Sequence, residues 1–393
     1  SLILIFAFNF EVNAQTSTIE EVIVSAEKRD ESLQDISQAV SALTDSDLEN
    51  KNIESFVDLS AIVPGVTVSK NEGYKTVISI RGVGNETNQN AIAAPSVAFH
   101  IDGVFIASPF SLLTDFIDIE RIEVLRGPQG TLFGQNSTGG AINVISKKPT
   151  TDDYYGKADL TIGNYDLLKY RTSVNIPVSE KVATRFSFSS TKRDGFSKNI
   201  VTGQELDDAN NISLRSDWAI ELSDSSSLRI FAQYFDIDRN GAAMRGIDDQ
   251  SSGIRNLAQD TLSNQELTSK VFAAIYEQDL GYANLKIVAS SQEDDISVTR
   301  DNDRHNLGET VAAIPGLEGT TYIKAEFRPE TSLVETKTLE VNLISNDPIL
   351  NGKLDWVAGA FYMDHKIENH IKGYRDWDAN GEIKYVCDEP FAN

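Results

Sequence analysis

Hydrophobic and polar positions keep two different rhythms along this chain, and the change falls near residue 150. Over residues 31–63 apolar side chains recur at helical spacing: Leu33, Ile36, Ala39 and Val40, then Leu48, Ile53, Phe56, Val57 and Leu59. That spacing predicts helix, with Asp45 and Ser46 as N-cap candidates ahead of Leu48 and Pro64-Gly65 as the stop. Short apolar runs beyond it predict strands at 66–68, 77–80, 97–99, 122–125 and 141–145, with a glycine-rich stretch over 127–140 between the last two. Residues 31–149 therefore predict an α+β domain.

After Pro149 the helical period fades and apolar residues alternate with polar ones. Ala158, Leu160 and Ile162 form one such set; Tyr170, Thr172, Val174 and Ile176 another; Thr184, Phe186 and Phe188 a third. The rhythm returns at Leu228, Ile230, Ala232 and Tyr234; at Val271, Ala273 and Ile275; at Leu339, Val341 and Leu343; and from Leu354 through Trp356, Ala358 and Ala360 to Tyr362. Period two gives a strand one apolar and one polar face, and about ten residues is what a tilted strand needs to cross a bilayer. The links also alternate. Tight ones at 177–181, 223–227, 278–282 and 346–353 take turns with long polar ones at 193–210, 238–267 and 299–333. Short periplasmic turns and long external loops produce that order in an outer-membrane barrel, whereas a soluble β-sandwich has no reason to keep every second loop long.

Composition narrows the classes. The 393 residues are 40% hydrophobic, enough for a core, and no interior run approaches the roughly 18 apolar residues of a spanning helix. Lys and Arg total 35 against 59 Asp and Glu, a net charge of −24, which disfavours nucleic acid or an anionic lipid surface as partner. With one cysteine, Cys387, no intrachain disulfide can form. The apolar run 2–8 followed by Val12-Asn13-Ala14 reads as the remnant of a secretory signal peptide over 1–14, with the mature chain starting near Gln15.

Residues 21–26 (Glu21, Val22, Ile23, Val24, Ser25, Ala26) are β-prone and flanked by polar residues. On physics alone they serve equally as an added strand on a partner's sheet or as the first strand of a soluble domain. Farther on stand Arg81-Gly82-Val83-Gly84, Ile101-Asp102-Gly103-Val104 and the long stretch from Ile119-Glu120-Arg121-Ile122-Glu123-Val124-Leu125-Arg126-Gly127-Pro128-Gln129-Gly130 to Ala141-Ile142-Asn143-Val144-Ile145. In order and content these resemble TonB-dependent outer-membrane receptors, with residues 20–26 similar to their TonB box. The resemblance covers 20–149; beyond it only the pattern is shared. It implies a TonB box and linker over 15–30, a plug domain over 31–149, and over 150–393 the N-terminal part of an antiparallel transmembrane β-barrel. Such a barrel has about 22 strands, so roughly two-fifths would be present. No signalling domain is expected between Gln15 and the box.

The resemblance also implies function: active import across the bacterial outer membrane, with TonB binding residues 21–26, outer-membrane lipid around the barrel, and a scarce or large ligand such as siderophore-iron, haem, cobalamin or an oligosaccharide. On a strand Arg121 and Glu123 share one face while Glu120 and Arg126 take the other. The resemblance implies that these four charges, with Arg81, hold the plug to the barrel wall; a solvated charged strand is the plain alternative.

Other chemistry is thin. Asp236, Asp238 and Asn240 before Gly241, and Asp376, Asp378 and Asn380 before Gly381, follow the first half of a calcium loop, but Ile247 and Cys387 stand where the closing carboxylate belongs. A loop calcium is one reading; Asp/Asn/Gly turns are the preferred one. The stretch 127–140 lacks the Gly-Lys-Ser/Thr ending of a phosphate loop. The four histidines, His100, His305, His365 and His370, form no metal or catalytic spacing, so no enzyme and no resident cofactor are expected. The rival expectation is a passive porin or surface adhesin; a third is a secreted soluble β enzyme.

Overall fold

The computed structural model describes residues 22–25, 28–29, 31–34, 36–71, 75–84, 95–108, 110–113, 116–247, 249–302, 304, 326–352, 354–377 and 383–392. The signal-peptide residues 1–14, with Glu21, Ala26, His305, Asp378 and Asn380, lie outside them.

The N-terminal part is built on small sheets. A two-stranded antiparallel sheet pairs β1 (Ile23–Val24) with β2 (Glu31–Ser32). The central sheet contains β3 (Val40–Thr44), β7 (Val97–Ile101), β8 (Val104–Phe105), β9 (Ile119–Arg126) and β10 (Gly140–Ser146), in the order β3-β9-β10-β7-β8. A third sheet, β4 (Val66–Asn71), β5 (Lys75–Ile80) and β6 (Val83–Gly84), packs beside it. The only helical elements between β3 and β4 are α1 (Asp45–Asn50), a 3-10 turn at Phe56–Asp58 and α2 (Leu59–Ile62).

The helix expected over 31–63 is thus mostly wrong. Val40–Thr44 is a strand because it zips onto β9, Val40 opposite Leu125 and Thr44 opposite Arg121, and that pairing overrides the helical spacing. The N-cap is Thr44, not Asp45 or Ser46: its hydroxyl accepts from the Asp47 amide while Asp47 reaches back to the Thr44 amide. Phe56 anchors this region, edge-on to Phe99 at 4.7 Å and to Phe116 at 4.5 Å. Gly140 is the one residue type that fits at the start of β10, since a Cβ there would collide with the Leu125 carbonyl.

From Tyr155 onward one 10-stranded antiparallel sheet follows chain order. Its members are β11 (Tyr155–Gly163), β12 (Leu167–Ser179), β13 (Val182–Arg193), β16 (Ala209–Ser223), β17 (Ser226–Arg239), β19 (Asn264–Asp279), β20 (Ala283–Asp301), β21 (Glu326–Ser345), β22 (Val357–Trp377) and β23 (Ile383–Ala392). The short β14 (Ser197–Asn199), β15 (Glu205–Leu206) and β18 (Asn256–Leu257) form a separate cap from two of the long links. A last helical turn, α3 (Ile349–Gly352), lies between β21 and β22.

Register sorts the two faces of this wall. Ile220, Leu228, Tyr276, Ile287, Val341 and Ala360 fall in one cross-strand row, and Trp218, Ile230, Ala274, Ala289, Leu339 and Tyr362 in the next. This outward apolar band is the lipid face. The opposite face carries buried polar residues such as Ser173, Asn175, Arg185, Arg215, Asp217 and Asp294. Strands reach 21 residues in β22, twice the expected ten. They outrun the band toward the long-loop end: on β20 the outward positions change from Leu285, Ile287 and Ala289 to Ser291, Glu293 and Asp295.

Candidate functional site: the seam between plug and wall

The buried polar face of the wall exists to meet the N-terminal domain, and most of the charge there is shared across the seam. Asp102 sits in the turn between β7 and β8 at φ 52, with Gly103 after it at φ 82, a left-handed pair that points the carboxylate outward from the sheet end. It meets Arg215 of β16 at 2.6 Å and Arg229 of β17 at 3.2 Å. Asp217 closes the ring, 2.9 Å from Arg215 and 2.6 Å from Arg229. Two anions and two cations balance, and Asp102 is only 1% exposed. Burial works to raise the Asp102 carboxyl, but Arg229 and Arg215 overcome it, with the Ser146 amide assisting, and hold it at about 2.

Similar contacts ring the domain. Asp118, at φ 55 just before β9, takes both the Arg185 guanidinium and the Ser187 hydroxyl, the latter at 2.7 Å. Glu54 receives Lys169 at 2.7 Å and Arg171 at 3.4 Å. Ser111 donates to buried Asp294 at 2.9 Å, and Lys75 lies 3.3 Å from Glu330. One apolar knob joins them. Phe110, 1% exposed, fills a nest of Phe235, Ile237, Leu267, Ile296, Val298 and Val334 toward the long-loop end of the wall. At the other end Lys28 reaches Glu340 at 2.9 Å, and Arg29 reaches Asp355 at 2.8 Å and Ser345 at 2.6 Å. Residues 345–357 make one of the tight links, so Lys28 and Arg29 mark the periplasmic end. A cavity of about 920 Å³ opens between plug and wall beside them, bordered by Ile23, Ser25, Arg121, Arg229 and Glu277.

The charges singled out on β9 do something else. Arg121 pairs with Glu120 and, at 2.8 Å, with Glu123; it also donates to Ser25 at 2.9 Å. These partners belong to the N-terminal domain itself. Arg121 and Glu120 border the cavity between plug and wall, but their ion-pair partners lie within the plug. Arg126 keeps a buried Nε with no hydrogen-bond partner, and the Arg81 side chain lies between Gly65 and Gly127. Among the charges that cross the seam, Arg185, Arg215 and Arg229 carried a usable signal in their inward parity on a barrel strand, and Asp102 in its glycine turn; Asp118 carried none. Parity is legible only once the register is known.

Of the expected TonB box, Val22 to Ser25 are described. Ile23 and Val24 form β1 against Glu31 and Ser32, and Val24 is fully buried among Ala98, Phe105, Leu125, Phe133 and Ala141. The first calcium-like loop is a correction. Asp236 and Asp238 lie within β17, opposite Thr268 and Glu266, so the extended backbone keeps them in a row and cannot wrap them round an ion. Asp236 instead accepts from Tyr234 and Thr268, and Asn240 donates to the Glu205 carbonyl. Among the described residues no cluster of three metal-ligating side chains occurs. Of the second loop, Asp376 falls in β22.

A small domain bound by buried ion pairs to the polar face of a wall whose other face is apolar has the architecture of a plugged outer-membrane β-barrel. Residues 32–141 match the family model for the TonB-dependent Receptor Plug Domain. Over 150 residues the chain is 33% identical to the iron-regulated outer membrane virulence protein of Vibrio cholerae, covering 37% of this chain and 22% of that protein. It is 28% identical over 189 residues to the vitamin B12 transporter BtuB of Vibrio vulnificus, covering 48% and 30%. The structure of P. aeruginosa FpvA bound to heterologous pyoverdines superposes with a TM-score of 0.69 at 17% identity, covering 94% of this chain and 49% of that one. The chain thus spans about half the length of that solved structure. Residues 32–141 are thus a TonB-dependent receptor plug domain, and the strands that follow share the fold of the solved outer-membrane receptors.

Proposed function

We propose that this chain is the gate of a TonB-energised importer, in which residues 21–26 are the segment that TonB captures. The supporting observation is placement. Ile23 and Val24 form a two-residue strand at the periplasmic end, beside Lys28 and Arg29, which are tied to the wall next to a tight link. An extended segment there can join the edge of a partner's sheet through backbone hydrogen bonds, and a pull on it acts on the plug directly. The outer membrane stores no gradient of its own, so the work of opening must arrive by contact. The ligand enters from the long-loop side, where the plug's Phe110 and the cap of β14, β15 and β18 lie. Its class is siderophore-iron, haem, cobalamin or an oligosaccharide, the first and third being in keeping with the named relatives.

Deleting residues 20–27 from the full-length receptor tests this. Uptake of the ligand falls to background for a coupled importer. Uptake that persists after the deletion establishes a passive pore.

A further inference from the structure

Glu123 is a fully buried carboxylate inside a plug whose other seam charges face the wall. Its Oε1 accepts the backbone amide of Ser25 at 2.9 Å and the Arg121 Nε at 2.8 Å; its Oε2 accepts Asn143 Nδ2 at 3.1 Å. Arg121 then bonds the Ser25 hydroxyl at 2.9 Å, so the ion pair grips one residue by both its main chain and its side chain. Ser25 follows Val24, which is fully buried, and Val22, whose carbonyl accepts from Leu33. The segment is thereby held at two adjacent points, an apolar socket for Val24 and a charged clasp for Ser25.

We propose that Glu123, with Arg121, is the catch that keeps residues 22–25 docked, so that breaking this clasp exposes the segment on the periplasmic side. The Glu123 carboxylate loses nothing structural to the wall when the segment leaves: Arg121 and Asn143 remain its partners on β9 and β10. An amide in place of the carboxylate weakens the clasp, because hydrogen bonds to an ionised acceptor are roughly twice as strong as neutral ones. Docking of the segment stands on the hydrogen bonds above; that its release invites TonB rests on the function proposed in the preceding subsection.

The test uses the full-length receptor in outer-membrane vesicles, in a background freed of native thiols, Cys387 included. Val24→Cys reports release, because a thiol there reacts with a maleimide only when the segment is out. Val144→Cys, 2% exposed on β10, reports general loosening of the plug. Glu123→Gln is expected to raise labelling at Val24→Cys about tenfold and to leave Val144→Cys unchanged. Ser25→Ala, which removes the Arg121 bond and keeps the amide, should give a smaller rise of about twofold. Equal acceleration at both positions makes Glu123 a plain structural residue and overturns the proposal, as does no acceleration at Val24→Cys in either variant. Capture of the receptor by the periplasmic domain of TonB is scored separately. Faster labelling without better capture upholds the catch and removes the TonB-binding assignment of the segment.

Discussion

Replacing Asp102 with asparagine should loosen the plug through the charge it leaves behind, more than through lost hydrogen bonds. The substitution keeps the shape of the turn and an oxygen for the Ser146 amide, but Arg215 and Arg229 are then balanced by Asp217 alone. A carboxyl held at about 2 instead of 3.8 is stabilised by about 2 kcal/mol, taking 1.36 kcal/mol per pH unit. Removing one member of a buried ion pair costs about 3–5 kcal/mol. The expected loss for Asp102→Asn is therefore about 2–4 kcal/mol. Arg215→Gln alone should cost a similar amount, including its packing over the Phe231 ring at 4.1 Å. The double variant restores neutrality, with Asp217 still paired to Arg229, so its cost should fall short of the sum by at least about 1.5 kcal/mol. Hydrogen exchange in the full-length receptor, read on peptides over Val97–Ile101 and Gly140–Ser146 with barrel strands as the internal reference, gives the opening free energy of the plug. Additivity within about 0.5 kcal/mol would refute the claim that the four charges act as one unit.

Two further outcomes follow from the same seam. Phe110→Ala empties a nest lined by Phe235, Ile237, Leu267, Ile296 and Val298, and should cost about 3–5 kcal/mol of local stability, seen as lost exchange protection at the plug apex with the barrel unchanged; protection equal to the native protein would show that the nest is not a structural anchor. Plug stability should also depend on pH in two limbs. Burial, with Lys28 nearby, holds His100 well below 6.5, so the unfolded chain binds its proton first and stability declines as pH falls below about 6.5. Asp102 is depressed in the folded state, so its contribution is complete above about 3.8 and is lost as pH falls toward about 2. His100→Leu should abolish the upper limb and Asp102→Asn should shrink the lower one, to which Asp45 and Asp47, lowered by Lys147 and Lys51, also contribute, measured as exchange-derived plug stability against pH; an upper limb surviving His100→Leu or a lower limb unchanged by Asp102→Asn would contradict the assignment.

Much of the wall is legible in the sequence. Period-two patterning and alternating link lengths placed β11, β12, β13, β17, β21 and β22, because a lipid face and a polar lumen impose a rule on every strand that crosses; at β19 the alternating set Val271, Ala273 and Ile275 instead faces inward and is buried against the plug. The same rule was weaker for β16 and β20, where Ser216 and Ser291 interrupt the outward face. Within the plug, strands on short apolar runs were recoverable, but Val40–Thr44 was not, since its helical spacing yields to a long-range pairing with β9.

The sequence by itself determined what each segment is suited to: lipid-facing strands, glycine turns at the plug's edges, and a motif order that marks the TonB-dependent receptor family. Tertiary structure alone decided which charges meet. Asp102 finds Arg215 across 113 positions, and Ser25 finds Glu123 across 98, whereas Glu120, Arg121 and Glu123 pair with one another inside the plug. Local pattern reports the free energy of burying a face, which depends on neighbours a few residues away. The partner of a buried charge is set by register and by the way one sheet is turned against another, and neither is encoded in any short stretch of the chain.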